Sequence, residues 1–242
     1  MPPEWTPSSN PRVEQLYSLK IGGNGARRGI RHYHLLYEGH GRLARSFDME
    51  DLFAALEQSI KRYVAQWARS RVFVNAGVVG WKGRAILIPG RSQTGKTTLV
   101  AELVKHGAVY YSDEYAVLDG RARVHPYAKP LGIRSHGDSP QIRTSIESLG
   151  GIQGVKPSPV GMIVLTRFQE GRKWRPRGVS GGKAALGLLE NVAASRHRLE
   201  HLLSVLGKSG ERALMLKGVR GEASETALSL LERIEDFIAA AK

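Results

Sequence analysis

The stretch Arg84-Ala85-Ile86-Leu87-Ile88-Pro89-Gly90-Arg91-Ser92-Gln93-Thr94-Gly95-Lys96-Thr97-Thr98-Leu99-Val100-Ala101-Glu102-Leu103-Val104-Lys105-His106-Gly107 organises the rest of the chain. Its first six residues are β-rich and lead straight into a glycine turn. Its second half is amphipathic at helical spacing, so a helix is expected from Lys96 to about His106, with Gly107 as its C-terminal stop. Between strand and helix, Gly90 to Thr97 fits G-x-x-x-x-G-K-[ST] at every position.

Those residue types suit one kind of chemistry. Glycines let a backbone wrap round an anion, and consecutive N–H groups at a helix N-terminus attract phosphate. Gly90, Arg91, Ser92, Gln93, Thr94, Gly95, Lys96, Thr97 and Thr98 are therefore expected to cradle the phosphates of ATP. Lys96 is the side chain expected to reach the β- and γ-phosphates, and the Thr97 hydroxyl to ligate Mg²⁺. Downstream, Ser112-Asp113-Glu114 follows the short strand-like run Val109-Tyr110-Tyr111. A carboxylate there either holds Mg²⁺ or takes a proton from an attacking group; the alternative is two solvated acids in a turn.

Working outward, Val72 to Val79 reads as a strand, separated from the one at Arg84 by the turn-like Gly80-Trp81-Lys82-Gly83. Tyr115 to Leu118 and Met162 to Phe168 are further strands. Helices are expected over 182–194, 196–206 and 222–241, with a strand at Ala213 to Lys217. In the last helix, Leu228, Leu231, Ile234 and Ile238 form the stripe expected to pack on the core. Residues 119–160 are rich in Gly and Pro and show no clear pattern. The first 70 residues form a different block. Strand-like runs at Val13–Ile21, Ile30–Tyr37 and Arg42–Phe47 precede a helix capped by Ser46 or Asp48, with Leu52, Phe53, Leu56, Ile60, Val64 and Trp67 on its apolar face. The expected organisation is a small α+β unit over 1–70 and a larger nucleotide-binding domain over 71–242.

The 242 residues include no cysteine, which excludes disulfides, thiolate nucleophiles and cysteine-based metal sites. The N-terminus lacks a basic stretch followed by an apolar run, and no apolar stretch is long enough to cross a bilayer, so a soluble, cytoplasmic protein without a membrane partner is expected. Lys and Arg number 36 against 22 Asp and Glu, a formal charge of +14. The excess lies mostly between residues 121 and 220. Such a field attracts phosphates, an acidic protein or nucleic acid, or is a solvated surface. Gly171-Arg172-Lys173-Trp174-Arg175-Pro176-Arg177 concentrates it, as a solvated basic hairpin or a contact for phosphate or an acidic partner. A single tryptophan makes no stacking platform, and nucleic acid is the disfavoured partner. His32 and His34 alternate as on one face of a strand, without the further ligands a metal site needs.

Taken in order, the glycine hairpin, the Gly90–Thr97 motif with its helix, the acidic pair and Pro130-Leu131-Gly132-Ile133-Arg134 resemble the HPr kinase/phosphorylase family, whose core is related to bacterial phosphoenolpyruvate carboxykinases. The resemblance covers about residues 72–134, and 160–206 loosely. It implies an α/β fold with a P-loop core in a mixed sheet, and transfer of the ATP γ-phosphate, with Mg²⁺, to a hydroxyl, usually a serine. By the same resemblance Lys96 is the phosphate lysine and Thr97 the metal hydroxyl. Asp113 lies nearest the metal, and Glu114 is the proton acceptor. Asn75 stands where the family has a histidine and Gly132 where it has a metal-binding glutamate, while Arg134 is retained. Asparagine does not shuttle a proton near neutral pH. Two functions therefore stand open: a kinase acting on a protein, peptide or small-molecule acceptor, and a non-catalytic or weakly hydrolytic ATP-binding regulatory module. The acceptor is not named by the sequence, and a homo-oligomer is left open.

Overall fold

The computed structural model describes residues 6–22, 32–91, 94–127, 129–133, 142–193 and 199–240. The chain divides into two compact units, Met1–Gln66 and Trp67–Lys242.

In the first unit, strands β1 (Tyr17–Lys20), β2 (His34–Glu38) and β3 (Gly41–Ser46) form an antiparallel sheet in that order, followed by helix α1 (Met49–Trp67). The β2–β3 turn uses Gly39 at φ 56, a left-handed conformation that glycine adopts freely. Asp48 caps α1, its Oδ1 accepting the Glu50 N–H at 2.9 Å. The apolar stripe expected on α1 holds at Leu52, with Leu56, Ile60 and Val64 half-buried, and is corrected at two positions. Phe53 and Trp67 are 54% and 45% exposed, whereas Leu52, Ser59 and Ala65 are buried. The buried position of Ser59 is satisfied by polar partners. Its hydroxyl donates to Glu38 Oε2 at 2.9 Å and lies 3.1 Å from the Tyr17 hydroxyl. A hydrogen-bonded serine, invisible to hydrophobic periodicity, sets which face turns inward.

The second unit is a mixed α/β structure. Strands β4 (Val72–Trp81) and β5 (Arg84–Pro89) form a hairpin whose two-residue turn places Lys82 at φ 45 and Gly83 at φ 77, the type I′ geometry that matches strand twist. After helix α2 (Lys96–Lys105), strands β6 (Val109–Ser112) and β7 (Tyr115–Leu118) both run antiparallel to β4. They form one line of pairing interrupted at Asp113 and Glu114. The stretch 119–160, unreadable from sequence, contributes β8 (Arg123–His125), the short pair β9 (Leu131–Ile133) and β10 (Ile142–Thr144), and a 3₁₀ turn at Glu147–Leu149. Strand β11 (Ser158–Phe168) lies parallel to β5 on one side and to β13 (Leu214–Arg220) on the other. The basic segment ends in β12 (Arg177–Gly178) at the edge of the sheet, antiparallel to β13.

Both sheet faces are covered, which explains why β5 reads as continuously apolar. Ile86 and Ile88 face helix α2 and the last helix, α5 (Ala223–Ala240); Ala85 and Leu87 face α3 (Gly181–Leu189) and α4 (Leu199–Gly210). In α5 the expected stripe shifts. Leu228 is 48% exposed, and Ala227, Leu230, Leu231 and Ile234 pack inward. Helix α2 ends as expected at Gly107, φ 90, with Gly107 N–H to Val104 O at 2.9 Å and Ala108 N–H to Leu103 O at 3.0 Å. That pair of bonds is a Schellman cap, and buried Ala108 and Leu103 supply its apolar contact. The arrangement is mixed α/β with a mixed sheet, most of its pairings antiparallel.

Asp119 holds the β7–β8 turn. Its Oδ1 accepts the N–H groups of Arg121 at 2.9 Å and Arg123 at 3.0 Å, and Oδ2 lies 2.9 Å from His125 Nε2. Burial pushes its pKa up, but the donors at Arg123, His125 and Arg121 together bring it below the ordinary 3.8. A lowered folded pKa gives stability present above the ordinary value and lost as pH falls through the folded one. Asp119→Ala is expected to cost about 1–3 kcal/mol near neutrality. Urea unfolding at decreasing pH checks this: wild type and variant should converge in strong acid.

Candidate functional site

Four consecutive features bring the site together at one end of β5. At Pro89 the strand stops, and Gly90 N–H donates to Asn75 O on β4 at 3.0 Å. The turn then folds on itself: Arg91 O accepts from the Thr94 hydroxyl at 2.9 Å and from the Lys96 ammonium. Gly95 follows at φ 78 as the N-cap of α2. Its carbonyl accepts both Leu99 N–H at 3.2 Å, opening the helix, and Arg220 Nη2 at 2.8 Å. Ser92, Gln93 and Arg134 lie outside the described residues. Thr98 is exposed on the first turn of α2.

Lys96 and Thr97 meet the acidic pair there. Thr97 Oγ1 donates to Asp113 Oδ2 at 3.2 Å, and Asp113 Oδ1 lies 3.1 Å from the Tyr110 hydroxyl. Burial lowers the pKa of Lys96, and the charges of Asp113 and Glu114 oppose that shift. The ammonium, the hydroxyl and the two carboxylates thus share one electrostatic environment. Their positions follow from the β6–β7 interruption. Ser112 Oγ accepts the N–H groups of Glu114 at 3.1 Å and Tyr115 at 3.0 Å, and Ala76 N–H donates to Glu114 O at 3.1 Å. This pins the two acids opposite Asn75 and Ala76.

Three residues that sequence reasoning did not select complete the arrangement. Lys129 Nζ lies 2.6 Å from Glu114 Oε2, an ion pair at a partly buried position. The Tyr110 hydroxyl lies 3.0 Å from Lys129 O as well as beside Asp113. Its pKa is raised, first by burial and then by the charge of Asp113, which keeps it a donor. Arg220, at the end of β13, is 2% exposed and bonds Gly221 O at 3.0 Å in addition to Gly95 O. Its guanidinium sits 5.4 Å from the Phe168 ring centroid. Burial lowers its pKa, with Glu222 opposing. No local motif marks these three, because each reaches the site from a different strand or loop.

Asn75 takes a different part from a proton carrier. Its side-chain Nδ2 donates to Asn191 O at 3.0 Å and its own N–H donates to the same oxygen at 2.7 Å. Where β5 leaves the sheet, the segment after α3 takes its place beside β4, with a bridge between Val74 and Val192. Gly132 lies in β9, opposite Arg143. His34, in the other unit, uses Nδ1 to accept Gly22 N–H at 3.2 Å.

The residues present suit a triphosphate and a divalent cation. Gly90 and Gly95 hold the loop where a side chain would collide: a Cβ at Gly90 meets Thr94 Oγ1 at 2.8 Å, and one at Gly95 meets Arg220. Thr97 and Asp113 offer two adjacent oxygen donors, the hard ligands Mg²⁺ takes alongside phosphate oxygens. Among the described residues no group of three or more His, Asp or Glu gathers as a metal cage; a site of this type relies on phosphate and water for the remaining ligands. No helix is long and apolar enough to cross a membrane. Compared with known proteins, the chain matches no family model and no curated protein.

Proposed function

We propose that this chain binds ATP with Mg²⁺ and transfers the γ-phosphate to a hydroxyl, in the manner of the HPr kinase-like P-loop proteins its sequence resembles. The observation that carries the reading is the Thr97–Asp113 contact beside Lys96, at the N-terminus of a helix preceded by a glycine turn. A phosphate-binding turn alone signifies binding; a carboxylate held against its threonine, with a second one next to it in sequence, adds the parts that transfer requires.

Each residue has a distinct task. The Gly90–Thr97 backbone and Lys96 bind and orient the triphosphate, and Lys96 offsets charge that builds on the transferred group. Thr97 and Asp113 hold the cation, which supplies charge neutralisation when bound. Glu114 accepts the proton of the acceptor hydroxyl as the new O–P bond forms and the bond to the ADP oxygen breaks. Lys129 orients that carboxylate, and Tyr110 fixes Asp113. The absence of cysteine fits a reducing, cytoplasmic setting.

A second reading, an ATP-binding module with little or no transfer, is favoured by Asn75. The position the family gives to a proton-carrying histidine is spent here on holding Asn191. Incubation with γ-labelled ATP and a cell extract separates the two: a labelled acceptor supports transfer, and released phosphate alone supports the module. Glu114→Gln is expected to slow transfer about 10²–10⁴-fold while nucleotide affinity stays within about twofold. Equal slowing and loss of affinity would show that Glu114 shapes the site and takes no proton.

A further inference from the structure

On the sheet face that carries α3, a cleft of about 810 Å³ opens beside Pro89 and Gly90. Five cations line it: Arg167 from the end of β11, Arg175 and Arg177 from the basic segment, Lys183 from α3 and Lys217 from β13. Among the described residues none of the five makes an ion pair. Arg177 and Lys217 are direct cross-strand partners. Like charges placed opposite each other in a sheet destabilise it, so this pairing is relieved by an anion bound between or above them.

The basic segment is also fixed in place. Gly218 leaves room for Trp174 and Pro176, since a Cβ there would lie 2.9 Å from the Trp174 ring, and a Cβ at Gly221 would collide with Arg172 O. Two glycines at the end of β13 thus let residues 172–176 lie flat on the strand. Arg175 and Arg177 are held at the cleft as a consequence.

We propose that the cleft docks the acceptor as an acidic peptide segment, a proposal that rests on the phosphotransfer reading above. The charge calls for an anion. All five cations are solvent-exposed, whereas a small-molecule site encloses most of its ligand; the open cleft therefore suits a chain that stays partly solvated. Its lining is apolar at Leu165, Leu186 and Val219, which suits side chains between carboxylates. Trp174 is turned onto Gly218 rather than presented for base stacking, which disfavours single-stranded nucleic acid. Glu190 and Asn191 also line the cleft, and Asn191 O accepts from Asn75, whose own carbonyl accepts the Gly90 N–H. The Glu190 carboxylate repels acidic residues beside it, so the hydroxyl-bearing residue lies on the Glu190 and Gly90 side and the acids lie against the cations.

The test uses the full chain and a fluorescein-labelled glutamate-rich peptide with a serine near one end, followed by fluorescence anisotropy at several salt concentrations. Binding is expected to weaken with salt and to fall about tenfold in Arg175→Glu/Lys217→Glu. ATP affinity should change less than about twofold in that variant. The same reversal at Lys208 and Arg212, outside the cleft, should leave peptide binding intact. Equal loss in the two double variants would overturn the assignment to the cleft. Tighter, cleft-dependent binding of a single-stranded oligonucleotide or of tripolyphosphate would overturn the acidic peptide as its occupant. Label transfer is read separately on the bound peptide. Cleft-dependent binding without label from γ-labelled ATP keeps the docking surface and removes the transfer reading; label without cleft dependence does the reverse.

Discussion

Lys96→Ala is expected to lower phosphotransfer about 10²–10³-fold and to weaken ATP binding about 10–100-fold. The first figure follows from the role of a preorganised positive group at the transferring phosphate, where losing one such donor costs roughly 3–4 kcal/mol. The second follows from losing one charge-assisted bond, worth about 1.5–3 kcal/mol. In the free chain the ammonium is satisfied internally by Arg91 O and balanced by Asp113 and Glu114. Removing it should not unfold the unit, because Lys96 is only partly buried at the start of α2. Titration calorimetry with ATP and single-turnover labelling measure the two losses separately. A pH signature accompanies them. Burial lowers the Lys96 pKa in the free chain, and bound phosphate would raise it, so ATP binding takes up a proton at high pH. Wild-type affinity should therefore fall as pH rises through the lowered value, and this fall should be missing from the variant.

Gly95→Ala is expected to be the most damaging single-methyl change in the loop. The residue sits at φ 78, where a side chain costs about 1–2 kcal/mol. The new Cβ would also occupy the space of the Arg220 guanidinium. Arg220 is buried beneath Phe168, and to move it must give up both Gly95 O and Gly221 O. A loss of roughly 3 kcal/mol, or about 6–12 °C in Tm for a unit of this size, follows. Gly90→Ala provides the comparison: its φ is ordinary, and relieving its close contact asks only the Thr94 hydroxyl to leave one carbonyl, Arg91 O. Thermal unfolding should rank Gly95→Ala well below Gly90→Ala. Equal Tm values would remove Arg220 from the account of the loop.

The parts of this molecule legible in the sequence are those encoded by neighbours. The β4–β5 hairpin, the glycine turn, α2 with its Gly107 cap, and the strand that delivers Asp113 and Glu114 all declare themselves through local spacing. The parts that were not legible depend on distant partners. Lys129, which pairs with Glu114, sits in a Gly- and Pro-rich stretch with no periodicity, and it reaches the site because Tyr127 N–H and Lys129 O bond Tyr111 O and the Tyr110 hydroxyl of β6. Ser59 faces inward because Glu38 and Tyr17 meet it, a pairing that an apolar stripe through Phe53 and Trp67 does not reveal. The basic run at 171–177 read as a solvated hairpin or a contact for phosphate or an acidic partner, and its place beside β13, where Gly218 and Gly221 leave room, is set more than forty residues downstream.

The bond from Arg220 to Gly95 O joins residues 125 positions apart, across the parallel strands β5, β11 and β13. Contacts of such long sequence separation form slowly, because the entropy of closing the intervening chain is lost before they return anything. The turn between β5 and α2 therefore has its final shape only after β13 has docked, late in folding. A ligand that recognises that shape binds the completed unit and not its partly folded forms. Saturating nucleotide should accordingly slow unfolding of the whole sheet, including strands that never approach it, rather than merely quiet one loop.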